Sequence, residues 1–237
     1  MRRKFITRLI FSVLSLAAIV LCCSIGEKTT IQTATAQLNN NRTKIIIDAG
    51  HGGFDGGAQA DDGTLEKDIN LPIAKKLKIF LELGGYDVIM IRDTDTSVET
   101  DADGNISERK VSDMKHRLEV INSNPDALFV SIHLNKFSTS SAKGAQVFYS
   151  PNNQRSLLLA KSVQKAFTKY LQQDNEREVK KAGKSIYLLK NAPIPAIIVE
   201  CGFLSNQVDL NNLKNDVYQT KTAFTVYCGI VEYLQMS

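Results

Sequence analysis

Two histidines and a glutamate stand where apolar segments of the sequence end. His51 follows one such segment within a glycine-rich stretch, His133 ends a second, and Glu200 comes at the end of a third. Two imidazoles and one carboxylate can bind a catalytic zinc ion while leaving a fourth position open for water. The residue types therefore suggest a metal site, although spacing alone does not show which acidic residue completes it.

Each of these residues also has a purely structural interpretation. A histidine that follows a strand is more often a hydrogen-bonded loop residue than a ligand, and glycines after a strand are weak evidence for phosphate binding. No Lys-Ser/Thr pair follows the glycines and no G-x-G-x-x-G is present, which argues against nucleotide binding. Glu200 is the strongest functional candidate, because a carboxylate in an apolar run is costly to bury without a partner. His116, between two basic residues, is interpreted as structural.

The elements that position these residues alternate between strands and helices along the chain. This order predicts a single α/β domain with a mixed, mostly parallel sheet and helices on both faces. Ligands of such sheets gather beyond the carboxyl ends of the strands, where we expect the zinc site. Pro72 requires the first helix either to begin near Asn70 or to be kinked. The predicted strands are residues 43–48, 86–92, 127–133, 144–150, 185–190 and 196–201, and the predicted helices 71–83, 108–122, 155–171 and 217–234.

The net charge of +4 belongs to the N-terminus of this 237-residue chain. Residues 1–36 contain five basic residues and one acidic residue, which leaves 24 of each in residues 37–237. Without a basic surface tract, a nucleic-acid partner is not expected. A basic cluster followed by the apolar run 9–25 predicts a signal peptide that ends at Ala36 or, alternatively, an uncleaved membrane anchor. Residues 37–42 would be a linker and residues 43–235 the working domain, outside the cytoplasm.

Four motifs in the sequence carry a family resemblance. They resemble, in the same order, the signatures of the zinc-dependent N-acetylmuramoyl-L-alanine amidases of the Amidase_3 type, and within that family the germination-specific amidases of spore-forming bacteria. The resemblance covers residues 43–235. The motifs are Ile46–Ala58, Glu66–Leu71, Ser131–Asn135 and Val199–Asn206.

The resemblance assigns roles that the spacing leaves open. It implies that His51, Glu66 and His133 bind zinc (Zn²⁺), that Glu200 is the catalytic carboxylate, and that Asn135 contacts the substrate. The expected reaction is hydrolysis of the amide between N-acetylmuramic acid and L-alanine of the stem peptide in peptidoglycan. In spore cortex, a muramic acid deacetylase would then act on the product to form muramic lactam. The expected location is outside the cytoplasm, secreted or anchored at the membrane, and includes the forespore intermembrane space.

Other functions remain to be weighed against this one. The enzyme would alternatively serve vegetative wall turnover or cell separation, or the chain would be an inactive wall-binding scaffold. A cysteine hydrolase would use Cys201 with His133 as its base, but that leaves the other motif residues unexplained. Cys201 and Cys228 are instead expected to be small buried hydrophobic residues without a disulfide. Because residues 150–153 lead directly into the next predicted helix, no inserted inhibitory helix is expected after the fourth strand.

Overall fold

The computed structural model describes residues 42–99 and 103–236, so the predicted export segment, residues 1–36, lies outside the described residues. Six strands form one sheet in the order β2-β1-β3-β6-β4-β5. Its strands are β1 Lys44–Ala49, β2 Asp87–Met90, β3 Leu128–Asn135, β4 Gln146–Tyr149, β5 Lys180–Lys181 and β6 Ala196–Phe203, and the helices are α1 Glu66–Leu83, α2 Ile106–Asn122, α3 Gln154–Tyr170, α4 Tyr187–Asn191, α5 Gln207–Lys214 and α6 Asp216–Gln235. None of the helices in these ranges is both long and apolar enough to cross a membrane.

The sheet is mixed and mostly parallel, as the sequence predicts. Strands β1, β2, β3 and β6 run parallel, whereas β4 pairs with β6 in the antiparallel direction and β5 runs parallel to β4. Helices α1, α3 and α6 cover one face of the sheet, and α2 and α4 cover the other. Burial on both faces explains why β1, β3 and β6 are nearly continuous apolar runs.

The predicted strand at 185–190 is wrong. These residues enter the short helix α4, and the fifth strand is instead the exposed pair Lys180–Lys181. Leu188 and Leu189 are adjacent in sequence and both pack into the core under the same face of the sheet. Consecutive residues of a strand point to opposite faces, so only a helical turn can bury both on one side.

Helix α1 begins four residues before Asn70 and contains Pro72 within it. The backbone amides of Glu66 and Lys67 donate to the carbonyl groups of Ala58 and Gly56, at 2.9 and 3.2 Å. These bonds to the preceding loop satisfy the first amides of the helix. The start of α1 is thereby fixed at Glu66, and the missing amide of Pro72 falls in the second turn.

Candidate active site

Three predicted ligands come together at the carboxyl ends of β1 and β3. His51 Nε2 lies 3.1 Å from Glu66 Oε2, and His133 Nδ1 lies 2.9 Å from Glu66 Oε1. The two imidazole rings meet edge to face, with centroids 4.9 Å apart. One ligand atom from each residue lies within 4.8 Å of the others, so the three side chains can hold one metal ion.

The Glu66 carboxylate is held at both of its oxygens. Oε2 accepts a hydrogen bond from the backbone amide of Ala58 at 2.9 Å, and Oε1 accepts from the amide of Leu134 at 3.0 Å and from Asn70 Nδ2 at 3.3 Å. Burial would raise the pKa of Glu66, but its hydrogen bonds to His133 and His51 hold the pKa far below its usual value. The group therefore stays charged, as a metal ligand must.

His51 reaches the site from a strained backbone. Its φ angle is 62°, in the left-handed region that non-glycine residues rarely adopt. Nδ1 of His51 lies 2.7 Å from Asp55 Oδ2, and the other oxygen of Asp55 lies 2.9 Å from Lys110 Nζ. Burial alone would lower the pKa of His51, but the hydrogen bonds with Asp55 and Glu66 raise it to about 9. Asp55 thus orients the ring so that Nε2 faces Glu66.

Two buried arginines hold the backbone that carries His51. Arg92 donates to the carbonyl oxygens of Ala49 and Gly50, at 2.7 and 2.9 Å, and Arg117 donates to that of His51 at 2.9 Å. The sequence did not identify either arginine as part of the site. No local signal identifies either residue, because the carbonyl groups that they hold lie 42 to 66 residues away in the sequence.

The charge of Arg117 is balanced inside the protein. Its guanidinium contacts Asp48, and its Nε lies 2.5 Å from Asp113 Oδ2. Burial would raise the pKa of Asp48, but Arg117 and a hydrogen bond from Ser131 lower it overall. Removing one member of such a buried group leaves an uncompensated charge, which is strongly destabilising. Arg117, Asp48 and Asp113 therefore act as one unit beneath the site.

Two glycines leave the space that the ligands occupy. A Cβ atom added to Gly50 would lie 2.2 Å from His133 Nε2. One added to Gly57, whose φ is 70°, would lie 2.6 Å from both Glu66 Oε2 and His51 Cδ2. Only glycine fits at these positions while the ligands keep their places.

Glu200 lies beside the ligands on the neighbouring strand. It is the register partner of His133 in the parallel pairing of β3 with β6. Within the described part of the chain its Oε2 atom is buried and has no hydrogen-bond partner. Burial raises the pKa of Glu200 to about 7, against the effect of the nearby histidines. A carboxyl group with a pKa near neutrality can both accept and donate a proton.

Asn135 lies at the end of β3, on the same face as His133 because the two residues are two positions apart in the strand. A cavity of about 320 Å³ opens next to His51 and His133, on the side where α2 and α4 lie. Its walls include Phe54, Met114 and Tyr187. His51 and His133 are also among its lining residues, so the cavity gives access to the candidate metal site.

The remaining candidates lie away from the site. Cys201 is 1% exposed, packs into the core on the opposite face from Glu200, and has its thiol pKa raised by burial. It is therefore unsuited to nucleophilic attack. Cys201 and Cys228 are both free thiols. His116 lies on α2, 3.9 Å from Glu119, in a surface position.

The segment after β4 contains no inserted helix, as predicted. It leads directly into α3, and the side chain of Asn153 caps that helix by accepting from the amide of Arg155.

We predict that Gly50→Ala disrupts the ligand cluster while the fold is kept. The added methyl group collides with the His133 ring, which must then move away from Glu66. Activity should fall about 100-fold or more, and zinc bound per chain should decrease. Gly183→Ala is the matched control, since its new Cβ meets only Ser185 Oγ, at 3.9 Å. Wild-type metal content and activity in Gly50→Ala would contradict the described geometry.

We also predict that Glu200→Gln stabilises the metal-free protein at high pH. Because burial raises the folded-state pKa of Glu200 from 4.5 to about 7, ionising this group costs about 3 kcal/mol of stability above pH 7. The cost disappears below pH 4.5, where the carboxyl is protonated in both the folded and unfolded states. Urea denaturation in EDTA at pH 8 and pH 4.5 measures the difference, and an equal effect at both pH values would refute ionisation of Glu200 as its cause.

Comparison with known proteins agrees with the geometry. The family model described as N-acetylmuramoyl-L-alanine amidase matches residues 45–232. The germination-specific N-acetylmuramoyl-L-alanine amidase of Bacillus subtilis is 36% identical over 189 residues, which are 80% of this chain and 78% of the relative. LytC, another N-acetylmuramoyl-L-alanine amidase of that organism, is 32% identical over 88% of this chain and 40% of its own length.

A solved structure supports the same assignment. The CwlD amidase of Clostridioides difficile, determined in complex with the GerS lipoprotein, has a TM-score of 0.79 and 41% identity, covering 83% of this chain and 100% of CwlD. AmiC2 of Nostoc punctiforme has a TM-score of 0.68 and 31% identity, covering 81% of this chain and 97% of its own. The family model, the sequence identities and the shared fold together show that the chain belongs to the N-acetylmuramoyl-L-alanine amidase family.

Proposed function

We propose that this amidase depends on zinc and that His51, Glu66 and His133 bind the ion. The observation that carries the proposal is the convergence of the three ligand atoms within 4.8 Å, next to the buried Glu200 Oε2 atom, which has no hydrogen-bond partner among the described residues. Two imidazoles and one carboxylate are a common donor set of catalytic zinc sites. When bound there, zinc would polarise the scissile carbonyl and lower the pKa of water.

Glu200 is suited to move the proton in this reaction. Burial raises its pKa to about 7, and no described residue forms a hydrogen bond with its Oε2 atom. As general base it would take a proton from the attacking water, and as general acid it would deliver that proton to the leaving L-alanine nitrogen. The bond broken is the amide between the lactyl group of N-acetylmuramic acid and the stem peptide. Asn135 would hold the substrate close to this carboxyl group.

Other parts of the chain keep the ligands ready. Asp55 orients His51, the amides of Ala58 and Leu134 orient Glu66, and the two arginines hold the 49–51 backbone. Prepared ligands need little rearrangement when the substrate binds.

We infer that the substrate is the peptidoglycan of spore cortex. The 36% sequence identity with the germination-specific amidase and the structural similarity to CwlD support this role. After the peptide has been removed, the muramic acid would be deacetylated and cyclised to muramic lactam by a second enzyme.

Hydrolysis of cortex peptidoglycan requires export of the enzyme. Residues 1–36 would serve as signal peptide or anchor, and residues 37–42 as a linker to the catalytic domain at 43–235. The forespore intermembrane space is the compartment that fits this role. CwlD was solved with GerS, which supports a protein partner for this chain too.

Digestion of purified walls tests this function. The wild-type protein should release stem peptides from spore cortex, as measured by mass spectrometry, and EDTA should abolish the release. Glu200→Gln should reduce kcat by about 100- to 10,000-fold with zinc retained, because it removes the proton acceptor alone. Glu66→Gln should lose zinc as well as activity.

Glu119→Gln is the control for both variants, because this glutamate is exposed on α2 and should leave activity and zinc content unchanged. Peptide release that persists in EDTA, or in Glu200→Gln, would refute the zinc mechanism. Release from vegetative wall but not from cortex would remove the cortex role and leave the amidase. No release from either would favour an inactive scaffold.

A further inference from the structure

The catalytic edge of the sheet continues beyond Glu200, away from the metal ligands. The next strand is β4, and its first residue, Gln146, is the register partner of Glu200. Directly opposed residues of an antiparallel pair place their side chains on one face, with Cβ atoms about 5 Å apart. Gln146 therefore lies beside the proposed proton acceptor.

Arg177 lies over this end of β4. Its Nη1 donates to Gln146 Oε1 at 3.2 Å, and its Nε donates to the carbonyl of Lys143 at 2.8 Å. The guanidinium carbon lies 4.5 Å from the centre of the Phe203 ring. Two hydrogen bonds and one aromatic contact thus fix a half-exposed guanidinium at the edge of the active site.

A β-bulge places Phe203 beneath Arg177. His133 on β3 pairs with Glu200 on β6. The next recorded pair is Asn135 with Phe203, so β3 advances by two residues while β6 advances by three. The extra residue on β6 turns Phe203 to the same face as Glu200. Its ring is fully buried and supports the guanidinium from below.

Arg177 differs from the buried arginines of the site in its charge balance. Among the described residues it forms no ion pair, whereas Arg117 contacts two carboxylates. Burial raises the pKa of Asp209, and the nearby charge of Arg177 partly offsets this rise. Asp209 Oδ2, however, already accepts hydrogen bonds from the backbone amides of Gly144 and Phe203. The hydrogen bonds of Arg177 go to neutral oxygens, so its charge remains available to an anion.

We infer that Arg177 binds a carboxylate of the stem peptide on the leaving side of the scissile amide. The inference rests on the proposed function. In the glycan strand, the only carboxyl group of N-acetylmuramic acid is the one consumed in the amide, so the anions of the substrate lie in the peptide. Strands are about 4.8 Å apart, which places β4 about 10 Å from His133. At about 3.4 Å per residue, that distance corresponds to the second or third residue of the peptide.

The inference also sets the direction of the substrate. The peptide would cross β6 and β4 towards Arg177, and the muramic acid would occupy the cavity between Phe54, Met114 and Tyr187. Apolar walls suit the lactyl and acetamido groups of that sugar.

Paired synthetic substrates test the role of Arg177. We would use muramoyl-tripeptides whose second or third residue carries either a free carboxylate or the corresponding carboxamide. The wild-type enzyme should prefer the acid at one of these residues. Arg177→Gln should raise KM for that acid about 10- to 100-fold, with kcat within about threefold, and should abolish the preference. Arg177→Lys should retain part of it, because the charge remains.

Arg155→Gln is the matched control, since this arginine is exposed at the start of α3 and donates to Tyr233 Oη. It should leave the preference intact. Wild-type enzyme with no preference at either residue would overturn the inference, and so would an equal change of KM for acid and amide in Arg177→Gln, which would indicate a structural role. If the wild-type enzyme cleaves none of the four substrates but its EDTA-sensitive release from wall persists, the inference fails and the proposed function stands.

Discussion

The carbonyl groups of residues 49–51 need hydrogen-bond donors from outside the sheet if His51 is to face Glu66. The chain leaves β1 at Ala49 and turns left-handed at His51, so these oxygens cannot all continue the ladder of the sheet. Buried carbonyls without partners are costly, and Arg92 and Arg117 supply the missing donors. The charge of Arg117 in turn requires buried acids, which Asp48 and Asp113 provide. The three candidate ligands thus depend on a buried ionic network that lies outside the candidate metal site.

Glu66 joins this network to the rest of the domain. Glu66 is the first residue of α1. Its carboxylate accepts hydrogen bonds from the backbone amides of Ala58 and Leu134 and faces both histidines. Because four groups from two segments, the 51–58 loop and β3, meet at one side chain, α1 cannot shift along the sheet without losing several hydrogen bonds. The early start of α1 follows from the same constraint, since the loop satisfies the amides of Glu66 and Lys67 that an isolated helix would leave free.

The sequence predicted the parts of the site that sit on buried strands. Apolar runs identified β1, β3 and β6, and the rule that ligands gather at carboxyl ends brought His51, His133 and Glu200 together. Glu66 needed the family resemblance, because nothing periodic marks the start of a helix that bonds to its own preceding loop. The prediction of a strand at 185–190 was wrong, because the two buried leucines are adjacent and do not alternate with exposed residues as they would in a strand. Arg92 and Arg177 could not be predicted, since each acts through partners 26 to 43 residues away in the sequence. The bulge before Phe203 breaks the alternation that a strand pattern assumes.

The antiparallel direction of β4 explains how the site extends past Glu200. In the parallel strands β1, β3 and β6, functional groups come at or after the carboxyl end. Since β4 runs the other way, its beginning lies at that same edge, and with it the residues that precede β4 and the parallel β5. Gln146 and Arg177 therefore meet beside Glu200, although their strands end at the opposite edge. Outside the N-terminal segment the basic and acidic residues balance, so an anionic peptide meets no general attraction from the surface. Recognition of such a peptide then has to come from a charge held at one place, and a guanidinium fixed by neutral partners at the edge of the active site meets that requirement.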